Sequence, residues 1–135
     1  MPELEINTTA SASIVVQTSD LASALQIGDD QFPPVLATAR MVALMEVAAA
    51  RVLKPHLGPG ELSVGVSVDV VHAAPTPVGA SVVATATFTG REGKLFVFQV
   101  VASDDAGEVG RGTHKRAIVS TERIVSGAAR RARSA

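Results

Sequence analysis

The stretch ATARMVALMEVAAARVLKP, residues 37–55, carries the one sustained helical period in this chain. Spaced at about 100° per residue, Met41, Leu44, Met45, Ala48 and Val52 form an apolar stripe, and Arg40, Ala43, Val47, Arg51 and Lys54 a basic one. The pattern predicts a helix from Ala37 to Lys54, stopped by Pro55 and by the turn Gly58-Pro59-Gly60. A single acid, Glu46, lies off the basic stripe beside Val42, Ala49, Ala50 and Leu53. No Lys or Arg stands three or four residues from it, so the usual helical ion pair is closed to it.

Outward from this helix the period changes to two. SIVVQTS at 13–19 reads as a strand, and SDLASALQIGDDQFPP as a polar connection whose two prolines forbid a helix through Phe32. After the helix come LSVGVSVDVVHA (62–73), GASVVATATFTG (79–90), KLFVFQVVASD (94–104) and EVGRGTHKRAIVST (108–121), separated by turn signals. In the first of these, alternation places Val64, Val66, Val68 and Val70 on one face with His72 beyond them, unless a bulge at Val70-Val71 intervenes. Short connections make the last three strands antiparallel neighbours. The order is strand, long helix, four strands, with no second long helix expected.

The 135 residues suit one domain with one core. We expect ends at 1–12 and 127–135 that fray, the latter basic through Arg130, Arg131 and Arg133, and a folded domain over 13–126. Apolar residues make up 47% of the chain, with four Phe and neither Trp nor Tyr, so the core is built from small branched side chains. One helix and an antiparallel sheet of about five strands bury each other best when the sheet curls round the helix. That α+β architecture leaves a sheet edge, for which pairing with a second subunit is a common cover.

Several classes are excluded. A net charge of −1 offers no global field for a nucleic-acid backbone. With no cysteine and three dispersed histidines, no metal site is expected, and no cofactor motif appears. The apolar run from Met41 to Ala50 is far shorter than the roughly 20 residues of a membrane span. The acidic start MPELEINTTASAS lacks the basic n-region of a secretory leader, so a cytoplasmic protein is the default. Neither a phosphate-binding glycine loop nor a nucleophile elbow is present.

The remaining chemistry sits on few residues, each with two readings. Glu46 is either a solvated acid on the helix shoulder or a partly desolvated carboxylate suited to general-base work. Thr38 is either the N-cap or a hydroxyl aimed at substrate. His72 is either a hydrogen-bonded rim residue or a catalytic one. His56 follows Pro55 in a solvated turn, and His114 with Arg116 reads as a basic pair on the last strand, more structural than anion-binding. Thr38 and Glu46 are eight residues apart, about 12 Å if both are helical. They act together only if Thr38 belongs to a bent loop, if substrate spans the gap, or if a second subunit supplies one of them.

Three blocks, QFPPVLATARMVALMEVAA, GVSVDVVHAAPTPVG and GEVGRGTHKRAIV, at compatible separations over residues 30–120, carry a family resemblance. It resembles the hotdog-fold thioesterases, and within them the fluoroacetyl-CoA thioesterase-like group. The resemblance implies a hotdog fold, a sheet wrapped round a central helix, and a homodimer or tetramer with active sites at the subunit interface. It implies hydrolysis of a short or small acyl-CoA, fluoroacetyl-CoA among the candidates, to free acid and CoA. Thr38, Glu46 and His72 match the catalytic set; Gly65, Arg116 and Phe32 match substrate-contacting positions, Phe32 as an aromatic gate. Arg40 and Val47 stand where bulky aromatics are expected beside the fluoroacetyl-type pocket, which implies a larger or differently polar one. The alternatives are an acyl-thioester-binding module without catalysis and, last, an enoyl-CoA hydratase, for which the D-x-N-x-x-H pattern is missing.

Overall fold

The computed structural model describes residues 3–134. Strand β1 is Thr9–Val15, helix α1 Thr38–Leu53, and strands β2 to β5 are Glu61–His72, Ser81–Glu92, Leu95–Asp104 and Gly107–Ser120; helix α2 is Thr121–Ser134. The strands form one antiparallel sheet in the order β1-β3-β4-β5-β2. The hotdog arrangement implied by the sequence is present: α1 lies against one face of the sheet, and Met41, Leu44, Met45, Ala48, Ala49, Val52 and Leu53 are buried there.

Residue size explains the close wrap. Strand β3 turns Val82, Ala84, Ala86 and Phe88 inward, and β4 contributes Phe98, Val100 and Ala102. Facing alanines on the helix and on two central strands let the backbones approach. The larger Phe98, Met41, Met45 and Leu53 fill the rest, each worth about 1.5–3 kcal/mol when buried. Glycines do the same on β5: a Cβ at Gly110 would lie 2.5 Å from Met41 Sδ and 2.8 Å from the Val71 carbonyl.

Four local expectations need correction. Strand β1 starts at Thr9, inside the segment read as a fraying end, because Thr9 to Ala12 pair with Thr87 to Ala84. Small polar residues here take their structure from a neighbouring strand, which local pattern cannot show. The last 14 described residues form α2 where a strand end and a tail were expected. Its Ala and Arg residues favour helix intrinsically, Glu122 and Arg131 and Arg133 complement its dipole, and none of its residues is buried. The bulge in β2 falls at Val66, not at Val70-Val71: Gly65 pairs with Arg116 and Ser67 with Lys115. The alternation therefore breaks there, putting Ser63, Gly65, Val68, Val70 and His72 on the face of His114 and Arg116, while Val64 turns outward. Finally, Thr38 is not the N-cap. That position is Ala37, and no side chain caps the helix.

Candidate active site

The entry to α1 is pinned by backbone contacts on both sides: Leu36 N–H donates to Thr76 O at 2.8 Å, and Ala37 N–H to Asp20 O at 3.0 Å. This sets Thr38, the first helical residue, against the end of β2, where its hydroxyl lies 2.8 Å from His72 Nδ1. The other ring nitrogen, His72 Nε2, is buried and has no hydrogen-bond partner among the described residues. Both side chains line a cleft of about 410 Å³ with Phe32, Pro33, Leu36 and Pro75. Phe32 is half exposed at this cleft. The first helix donors returning to Ala37 O are Arg40 and Met41, so the Thr38 and Ala39 amides remain among the unpaired donors of the positive helix end.

Two turns further along α1, Glu46 enters a second cluster. Its Oε1 lies 3.3 Å from Arg116 Nη1 and 4.0 Å from His114 Nε2. Gly65 makes the approach possible: a Cβ there would collide with Glu46 Oε1. Arg116 is buried and anchored to Ser63 through Nε to Oγ, 3.0 Å, and Nη2 to the carbonyl, 2.9 Å. Its fourth contact is His114 Nε2, 3.1 Å from Nη1. Because an arginine can only donate, that nitrogen is the acceptor, and the His114 proton sits on Nδ1, donated to Ser67 O at 2.8 Å. Burial pushes the His114 pKa down, and the Arg116 charge adds to it against the opposing Ser67 carbonyl and Glu46. The imidazole is held neutral. Burial also lowers Arg116, with Glu46 opposing, but a guanidinium stays charged.

Thr38 and Glu46 both belong to α1, which removes the bent-loop option and leaves them about 12 Å apart along the axis. One chain thus presents two separate clusters, a hydroxyl–imidazole pair and a braced carboxylate.

Comparison with known proteins extends the reading. The family model of the fluoroacetyl-CoA-specific thioesterase matches residues 16–122. The chain belongs to that family. The fluoroacetyl-CoA thioesterase of Streptantibioticus cattleyicolor is 44% identical over 94 residues, 70% of this chain and 68% of that protein. A solved structure of the fluoroacetyl-CoA thioesterase FlK superposes with a TM-score of 0.89 at 33% identity, covering 96% of this chain and 98% of that one. A thioesterase superfamily member from Thermus thermophilus gives a TM-score of 0.86 at 26% identity, covering 99% and 96%. Variants of FlK have been solved with acetyl-CoA and with fluoroacetate and CoA. As a member of the fluoroacetyl-CoA-specific thioesterase family, the chain is a thioester hydrolase of the acyl-CoA class.

Within this family frame, the two departures fall elsewhere than the cleft of Thr38 and His72. Arg40 Nε pairs with Asp20 Oδ1 at 3.1 Å, and Arg40 and Val47 line a separate groove of about 160 Å³ with Ile14, Asp20, Ala43 and Leu44. Arg40 therefore braces Asp20, whose carbonyl holds the entry of α1. Sequence reasoning missed this pair, the Ser63 anchor, and Thr76, which is fully buried with its hydroxyl donating to Asp104 Oδ2 at 2.8 Å. Strand pattern alone read His114 and Arg116 as a basic pair, and the resemblance gave Arg116 a substrate-contacting position; the structure places both on the inner face, with Arg116 bonded to Ser63, Glu46 and His114.

Proposed function

We propose that the two half-sites are completed across a two-fold axis, Thr38 and His72 of one subunit working with Glu46 of the partner subunit on one small acyl-CoA. The observation that carries this is the 2.8 Å contact between Thr38 Oγ1 and His72 Nδ1 on an open cleft. A carboxylate is the usual orienting partner of a histidine base, and none lines that cleft among the described residues. Strand β2 supplies the route. It is a 12-residue edge strand with Leu62, Val66, Val68 and Val71 all more than 40% exposed, a surface that invites pairing. Antiparallel pairing with a second copy, centred near Val68 and Asp69, carries the His72 end of one strand toward the Gly65 region of the other. The homodimer is thus part of the active-site reading.

In this site His72 Nδ1 accepts the Thr38 proton as Oγ1 attacks the thioester carbonyl. The partner's Glu46 stabilises the imidazolium charge, and the amides of Thr38 and Ala39 face the developing oxyanion. His72 then protonates the departing CoA sulfur, and water hydrolyses the acyl ester. The cleft walls, Ala22, Phe32, Pro33, Val35, Leu36, Ala73, Ala74 and Pro75, are apolar and mostly small, which fits a short acyl group. Fluoroacetyl-CoA, the substrate named for the Streptantibioticus relative, is of this size. A soluble, cytoplasmic enzyme fits a chain in which no described helix is long and apolar enough to cross a membrane.

The test is thiol release from a panel of acyl-CoAs from acetyl and fluoroacetyl upward. Turnover should favour short chains, and Thr38→Ala and His72→Ala should each lower kcat/KM by about 10²–10⁴. If Thr38→Ala kept its turnover, a water activated by His72 would take the attacking role. Thermal stabilisation by acyl-CoA with no thiol released would instead make the protein a binding module.

A further inference from the structure

We infer that His114 is a positioning residue for the reaction, fixing Arg116 and through it the Glu46 carboxylate by acting as a neutral hydrogen-bond bridge between β5 and the β2 bulge. The inference rests on the active-site reading above, in which Glu46 is functional, and adds the residue that sets its place.

Each partner of the ring constrains the other. His114 is 1% exposed, so it meets neither water nor substrate, yet both ring nitrogens are committed. Nδ1–H donates to Ser67 O, the first carbonyl after the bulged Val66, and Nε2 accepts from Arg116 Nη1. The same Nη1 donates to Glu46 Oε1. Both nitrogens of a buried histidine are normally bonded; what sets this ring apart is that its second bond holds a cation that is aimed at an acid. The ring also packs closely on β2, since a Cβ at Gly65 would lie 3.3 Å from its Cε1.

The bridge works in one protonation state only. The ionisable groups recorded against His114 are Arg116 on its own strand and Glu46 from α1. From β2 it meets the Ser67 carbonyl and Gly65, and from β4 it pairs with Phe98. A proton on Nε2 would set two donors against each other at 3.1 Å, turning Nη1 away. Burial and the Arg116 charge both resist that proton. Low pH should therefore loosen Glu46 before the fold is lost.

The experiment measures kcat and KM against pH for wild type, His114→Leu and His114→Gln, with dimer mass checked for each. Leucine fills the space with no hydrogen bond; glutamine can donate to Ser67 O and accept from Arg116 without titrating. The inference expects at least a tenfold fall in kcat for His114→Leu with a smaller change in KM. It expects recovery of most of that loss in His114→Gln, with a flatter acid limb. Equal kcat in all three proteins would overturn it, as would equal loss in both variants with intact dimers, which would mark a purely structural ring. Imidazole nitrogen NMR of the wild type gives a readout independent of turnover: the expected tautomer is Nδ1–H with Nε2 accepting, and an Nε2–H or charged ring at neutral pH would overturn the bridge. Absence of thiol release by the wild type would sink the thioesterase reading alone, leaving the NMR result to decide the bridge.

Discussion

At the scale of single residues, Glu46 shows how a local reading stops short. The helical period correctly leaves it without an ion-pair partner on α1, but Arg116 lies 70 positions away in sequence, and only the strand register brings it near. Gly65 was expected through resemblance to contact substrate; in the structure the Glu46 carboxylate occupies the space of its absent side chain. Gly65→Ala should therefore displace Glu46 and reduce kcat/KM by more than tenfold, while a thermal melt shifts little, because Gly65 is exposed. His114 makes a separate prediction for stability. Its folded pKa is below the unfolded value of about 6.5, so the folded state prefers the neutral ring. The corresponding stability is complete above pH 6.5 and is lost as pH falls through the lower folded value. Melts of wild type and His114→Gln should keep a constant offset above pH 6.5, and the wild type should lose stability relative to the variant as pH falls below it; curves that stay parallel through the acid range would deny the linkage.

At the scale of elements, α1 and the strands β3 to β5 were legible because their periods and turn residues agree with the fold they enter. The hairpin between β3 and β4 turns on Gly93, at φ +62°, in the REG signal read from sequence. What escaped was structure imposed from outside the segment. Thr9 to Ala12 become a strand through β3, and the β2 bulge is set by its register with β5. Helix α2 escaped for a different reason: with no buried residue, it has no core stripe for a periodicity argument to find. Deleting residues 123–135 should accordingly shift Tm by less than about 4 °C. By contrast, Gly110→Ala drives a methyl toward Met41 and Val71 O and should destabilise by about 1–3 kcal/mol in denaturant unfolding. Thr76→Val, which removes the bond to Asp104, should cost about 1 kcal/mol and loosen the loop that follows His72.

At the scale of the whole molecule, the sequence posed a choice that the helix boundaries narrow. Thr38 and Glu46 share one helix, so either substrate spans the gap or two subunits share each site. The exposed valines of the β2 edge, and a Thr38–His72 cleft whose described lining holds no carboxylate, favour two subunits. The protein should then migrate with the mass of two chains or more, and dilution to monomer should abolish turnover. The most direct test is subunit complementation. Thr38→Ala and Glu46→Ala homodimers, each inactive, are dissociated, mixed and reassociated, and thiol release from a short acyl-CoA is measured. If each site takes Thr38 from one chain and Glu46 from the other, a mixed dimer holds one doubly damaged site and one intact site, and recovers about half the wild-type activity per dimer. If both residues of a site come from the same chain, every site in the mixed dimer carries a lesion, and the absence of any recovery would contradict the shared active site.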